Sequence, residues 1–225
     1  ILNTLSKKYD ILVLEWNREK HNSNENIKVF VQLKSLRLSA PYGSPFLIFY
    51  WPVFWLWVMI NLIITRPKAI HACNFDVVVA CYFYKIFTKT KLVFDSFDKF
   101  SLAFVPPKNK LLFKIMDTLE NVIAYKSDAL VTVNSERLFT YGRFLPKFVT
   151  IIMNVPQDML KFIKKSSTLR IRNKDKFVIV YTGGIAHDRG LLLLKEVIKD
   201  IDKVELILAG RVVDDTLNKL LPDSK

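Results

Sequence analysis

Apolar positions along the chain fall into short runs rich in β-branched residues, and longer stretches of helical period alternate with them. The short runs predict strands at Ile11–Trp16, Ala69–Ala72, Lys91–Asp95, Ala129–Val133, Phe148–Ile152, Phe177–Thr182 and Val204–Ala209. Several are continuously apolar rather than alternating, the pattern of parallel strands covered on both faces. Between them the spacing predicts helices over Asp76–Phe87, Lys108–Lys126, Ser135–Tyr141, Arg189–Lys199 and Asp214–Leu221. Strand, helix and strand repeated in this order imply an α/β chain with right-handed crossovers and doubly wound parallel sheets.

The pattern lapses once. Gln157–Lys176 is polar and basic, with no sustained apolar period, and reads as an inter-domain connection. A boundary near Asn154 to Asp158 makes residues 1–155 one Rossmann-like domain and 156–225 a second, partial one. The chain opens at Ile1 inside a helical fragment and stops at Lys225 soon after a strand and a short helix. It is therefore expected to be a fragment, lacking a first strand and about half of the second domain.

A second departure is the uncharged segment between Arg37 and Arg66, densest over Phe46–Ile64. At nearly the roughly 20 residues that cross a bilayer, such a helix would span, be wholly buried, or rest in the membrane interface. Pro52 and Asn61 inside it speak against spanning, and Trp51, Trp55 and Trp57 are many for a simple core. Interfacial placement is favoured, because Trp and Tyr prefer the headgroup region. Lys34, Arg37, Arg66 and Lys68 flank the segment and suit an anionic surface. The expected location is cytoplasmic, peripheral on the inner face of the cell membrane. No secretory signal is visible at the start.

Composition narrows the classes further. Of 225 residues 51% are hydrophobic, enough apolar surface to exclude a disordered or low-complexity chain. Two cysteines, Cys73 and Cys81, make no disulfide scaffold and suit a reducing compartment. The net charge of +13 calls for an acidic partner: nucleic acid, an anionic membrane or a phosphorylated small molecule. The basic residues are spread along the chain without a nucleic-acid motif, which ranks nucleic acid last.

Chemistry concentrates in Phe177–Leu191. A strand ends at Gly183-Gly184, a short loop follows, and a helix is expected to open near Asp188 with Arg189 in its first turn. Glycines let a ligand approach the backbone, and helix amides with a guanidinium supply donors to a diphosphate. A plain strand-to-helix turn with Asp188 as cap and Arg189 in solvent is the competing explanation.

Tyr181–Leu191 followed by Val204–Arg211 resembles the start of the donor-binding domain of family 4 glycosyltransferases. Ala69–Asp76, Lys91–Asp98, Ser127–Glu136 and Ile151–Pro156 are similar to further segments of that family, in the same order. The resemblance implies a GT-B fold: two Rossmann-like domains with parallel sheets facing across a cleft, the second truncated here. It implies transfer of a sugar from a nucleotide-sugar, the co-substrate, to a lipid-linked or cell-envelope glycan acceptor. Configuration is usually retained, and no metal or other cofactor is needed. Arg189 is the choice for stabilising the leaving diphosphate, with Gly183 and Gly184 as donor-binding residues. His71 is a second catalytic candidate, and Asp95, Asn134 and Ser135 are candidates for the acceptor-side cleft.

Departures accompany the resemblance. Gly184 stands where many members carry Arg, Arg189 where they carry Lys, and Cys73 and Phe97 where histidines are common. No glutamate pair has the family's separation of seven residues. A non-catalytic relative serving as a membrane-associated binding or scaffold protein is the alternative. His71 as a structural histidine, Asp98 as a helix cap, and Asn134 or Ser135 as an N-cap are the ordinary roles these residues would otherwise fill.

Overall fold

The computed structural model describes residues 2–18, 31–40, 45–105, 109–153 and 175–220. The chain divides into two compact units, Ile1–Pro156 and Gln157–Lys225. Most of the predicted connection, and the boundary near Asn154 to Asp158, lie outside the described residues.

In the first unit α1 (Leu2–Leu5) leads to β1 (Leu12–Trp16), which pairs in parallel with β2 (Gln32–Leu36). A 3₁₀ turn (Pro45–Phe49) enters α2 (Trp51–Thr65). Then follow β3 (Ala69–Cys73), α3 (Phe75–Phe87), β4 (Lys91–Ser96), α4 (Phe100–Phe104) and α5 (Lys110–Lys126). β5 (Ala129–Thr132), α6 (Ser135–Phe139) and β6 (Phe148–Ile151) complete the unit. The strands β3-β4-β5-β6 form one sheet in that order, all parallel. Parallel pairing brings every strand's carboxyl end to one edge, where Asn74, Phe97 and Asn134 leave the sheet.

β2 was not expected from the apolar pattern. Gln32-Leu33-Lys34-Ser35-Leu36 has only two apolar residues and breaks alternation at Lys34-Ser35, and its partner β1 supplies the pairing that so polar a strand cannot signal alone. α2 settles the uncharged segment. Pro52 falls in its first turn, where a missing N–H costs nothing. The helix stops at Arg66, left-handed at φ 44°, followed by Pro67. Trp51, Phe54, Val58, Asn61 and Leu62 are buried, whereas Val53, Leu56, Ile60, Ile63 and Ile64 are exposed. Exposure of one face rules out a wholly buried helix. At 15 residues α2 is also too short to span, and no helix among the described residues is long and apolar enough to cross a membrane. Asn61 is satisfied on the inner face: Lys34 Nζ donates to its Oδ1 at 3.1 Å, and its Nδ2 donates to the Trp57 carbonyl at 2.9 Å.

The inner face of α2 packs against α3, and α3 closes on β3 and β4, in one core with Ala72, Phe75, Val78, Leu92, Phe94 and Leu130. Each such large apolar side chain, fully buried, contributes about 1.5–3 kcal/mol. A polar network lies beside them. Glu120 of α5, fully buried, accepts from the amides of Phe100 (2.9 Å) and Ser101 (3.2 Å) and from Tyr141 Oη (3.1 Å). Tyr141 Oη also meets Ser96 Oγ at 2.7 Å, so the network clamps the chain as it leaves β4.

The second unit holds β7 (Phe177–Thr182), a 3₁₀ turn (His187–Arg189), α7 (Leu191–Ile198), β8 (Val204–Ala209) and α8 (Thr216–Leu220). β7 and β8 pair in parallel over their full length, Phe177 opposite Val204 through Thr182 opposite Ala209. The helix expected near Asp188 opens only at Leu191. Gly190, at φ 71°, separates it from the 3₁₀ turn that carries Arg189.

Candidate functional site

In open parallel sheets ligands bind beyond the strand carboxyl ends. At that edge of the first unit His71 and Cys73 alternate outward from β3 while Ala72 between them is buried. Asp95 of β4 registers opposite Cys73 and is 2% exposed. His71 Nε2 lies 2.8 Å from Asp95 Oδ2. The hydrogen bond to Asp95 is the main cause that pushes the imidazole up to about 9, with Cys73 adding and burial opposing.

Donor atoms of His71, Cys73 and Asp95 all lie within 4.8 Å of one another. No ligand spacing marks this trio in the sequence, because His71 and Asp95 are 24 residues apart and only sheet register unites them. Cys73 is exposed, whereas Cys81 is buried in α3 and burial pushes its thiol up to about 12.

The other acceptor-side candidates fall on the same edge. Asn134, next to the end of β5, caps α6 by accepting from the Arg137 amide at 2.8 Å, and Ser135 beside it is exposed. Asp98 is no helix cap. Lys99 holds the cap position of α4, and Asp98 Oδ1 pairs with Arg137 at 2.6 Å.

In the second unit the loops after β7 and β8 run side by side. Gly183 N–H donates to the Ala209 carbonyl at 3.0 Å, and Ile185 N–H to that of Arg211 at 2.9 Å. A Cβ at Gly210 would sit 1.7 Å from the Gly183 oxygen, so the approach demands glycine there. Gly183 itself is at φ 150°. Tyr181 Oη donates to the Gly184 carbonyl at 2.8 Å and ties the loop to its strand. Asp214 accepts from the amides of His187 and Thr216, each at 2.9 Å. Hydrogen bonds from Thr216 first, then from the His187 amide, hold its carboxyl at about 2.

Arg189 reaches Asp188 at 3.7 Å with 59% of its side chain exposed, a contact of small worth. The sequence signals Gly183, Gly184 and Arg189 but gives Gly210 only as the residue after a strand. Tyr181, two residues before Gly183, and Asp214, four beyond Gly210, carry no signal of their own. A surface cavity of about 370 Å³, lined by Ile63, Arg66, Pro67, Tyr84, Thr88 and Thr90, lies by the amino ends of β3 and β4, away from this edge.

Neither a protein-family model nor a curated protein matches the chain. Solved structures do. Anabaena HepE in complex with UDP superposes with a TM-score of 0.58 at 12% identity, over 94% of this chain and 64% of that one. A Listeria monocytogenes protein described as a UDP-N-acetylglucosamine 2-epimerase gives 0.55 at 10% identity, over 97% and 59%. Arabidopsis thaliana UGT89C1 with UDP-L-rhamnose gives 0.54 at 12%, over 94% and 63%. The chain thus spans roughly three fifths of the length of these structures. At such identity the likeness shows the fold alone: α/β with parallel sheets, of the GT-B type found in enzymes that use nucleotide-sugars.

Proposed function

We propose that this chain belongs to a family 4-like glycosyltransferase that moves a sugar from a nucleotide-sugar to a lipid-linked or cell-envelope glycan acceptor. The observation that carries the reading is the loop closed by Gly183 and Gly210 at the carboxyl ends of β7 and β8, with Arg189 beside it. Residues 156–225 serve as the nucleotide side and 1–155 as the acceptor side. The Gly184 N–H and the Arg189 guanidinium receive the diphosphate. Their interaction strengthens as the anomeric C–O bond breaks and its electron pair moves onto the leaving diphosphate. The acceptor oxygen forms the new bond to the anomeric carbon, and its proton passes to the departing diphosphate. His71, oriented by Asp95, hydrogen-bonds the acceptor, with Asn134 and Ser135 at the same edge. Configuration is retained, and the step uses no metal or other cofactor.

The exposed stripe of α2 supports peripheral attachment to the inner face of the cell membrane. Val53, Leu56, Ile60, Ile63 and Ile64 form the stripe, and Phe83, Ile86 and Phe87 of α3 are exposed too. Arg66, Lys68 and Lys89 rim its end, where the cavity beside Arg66 is of a size to take a lipid phosphate.

Calorimetric titration of the whole chain with UDP tests the nucleotide side. Measurable binding is expected, falling about 10- to 100-fold in Arg189→Ala, as loss of hydrogen bonds to a charged group requires. Absence of UDP binding overturns the reading; undiminished binding in Arg189→Ala removes only that residue from it. Gly184 in place of a cation, together with Cys73 and Phe97, favours one second reading, a relative that binds without transferring. UDP binding with no acceptor-dependent sugar transfer by the longer protein would establish it.

A further inference from the structure

We propose that His71, Cys73 and Asp95 form a binding site for one thiophilic divalent cation of the zinc class. The three converge for reasons of sheet geometry. Residues two apart on a strand share a face, so His71 and Cys73 point the same way from β3. Asp95 faces Cys73 across the parallel β3–β4 ladder and therefore joins them on that face. Their donor atoms lie within 4.8 Å of one another.

Tetrahedral bonds of about 2.0–2.3 Å place ligand atoms about 3.3–3.8 Å apart. The widest pair needs to close by about 1 Å, and the His71–Asp95 pair, at 2.8 Å, to part as its hydrogen bond gives way to the cation. His71 and Cys73 are exposed and turn about χ1 without disturbing the core, while Asp95 is a fixed, buried anchor. An imidazole, a thiolate and a carboxylate together select zinc-class ions over magnesium or calcium, which prefer all-oxygen shells. Three protein ligands leave a fourth place for water. The site shares His71 and Asp95 with the proposed acceptor edge, but cation binding is read directly, so its test does not depend on sugar transfer.

Cobalt(II) titration of the whole chain, followed by absorption, tests the site. One equivalent is expected to bind with a thiolate-to-cobalt charge-transfer band, displaced by zinc. Cys73→Ser removes the band, His71→Gln lowers affinity about tenfold or more, and Cys81→Ala leaves both unchanged. Circular dichroism identifies any variant that fails to fold, and the two exposed positions suffice if Asp95→Asn does. Absence of the band in the native chain overturns the proposal. A band whose affinity is the same in His71→Gln also overturns it, because the cysteine then acts alone.

Discussion

The Cα of Gly210 faces the carbonyl oxygen of Gly183 so closely that a methyl group there would lie 1.7 Å from it. The contact extends the β7–β8 pairing one rung beyond Thr182 and Ala209. Gly210→Ala must push one backbone off the other, and it is expected to cost about 2–4 kcal/mol. Faster amide exchange across β7 and β8, with a fall in UDP affinity, would be the signature. Gly190→Ala meets no atom within 4 Å and carries only left-handed strain at φ 71°, about 1–2 kcal/mol. Equal costs for the two would contradict this account of Gly210.

Asp128, just before β5 in the first unit, carries an acid-sensitive contact. Burial raises its carboxyl, but hydrogen bonds from Lys85, the Leu92 amide and Lys91 outweigh that and hold it well below the usual 3.8. A depressed carboxylate stabilises the fold above its unfolded value, and that contribution fades as pH falls below it. Asp128→Asn should therefore lower Tm at pH 7, and the gap from wild type should narrow as pH drops below about 4. Thermal scans between neutral and acid pH would decide the matter. A gap that does not change with pH would show that the charge is irrelevant.

Glu120 answers the first two amides of α4 and a phenol from inside the core. Burial pushes its carboxyl up, with the amides of Phe100 and Ser101 opposing. Glu120→Leu leaves those amides without their acceptor, at about 1–3 kcal/mol each. Tyr141→Phe loses two hydroxyl bonds, to Glu120 and Ser96, and should cost less, about 1–2 kcal/mol in all. Urea unfolding that ranked the two in the reverse order would refute the clamp.

The membrane reading makes α2 the determinant. Leu56 and Ile60 are exposed and contribute nothing to the inner face. Leu56→Glu with Ile60→Glu should leave Tm nearly unchanged while reducing co-sedimentation with phosphatidylserine vesicles at least about tenfold. Salt should weaken the wild-type binding, given the rim of Arg66, Lys68 and Lys89. Failure of the wild-type chain to bind such vesicles would end the reading.

Local sequence pattern determined the α/β succession of this protein and the bounds of Phe177–Thr182 and Val204–Ala209, because β-branched runs and turn glycines act within a few residues. It also placed Gly183, Gly184 and Arg189 together, since one strand-to-helix turn holds all three. β2 escaped it, its polar residues being legible only once β1 lies alongside. Periodicity could not divide α2 into an inner and an outer face, because nearly every position is apolar; packing against α3 made that choice. Asp98, read as a cap, pairs instead with Arg137 from a distant helix. Sheet register alone set His71 against Asp95 with Cys73 beside them, and backbone crossing alone made Gly210 irreplaceable. Hydrogen-bond period and turn preference are properties of neighbouring residues, whereas register and close approach exist only when distant segments pack.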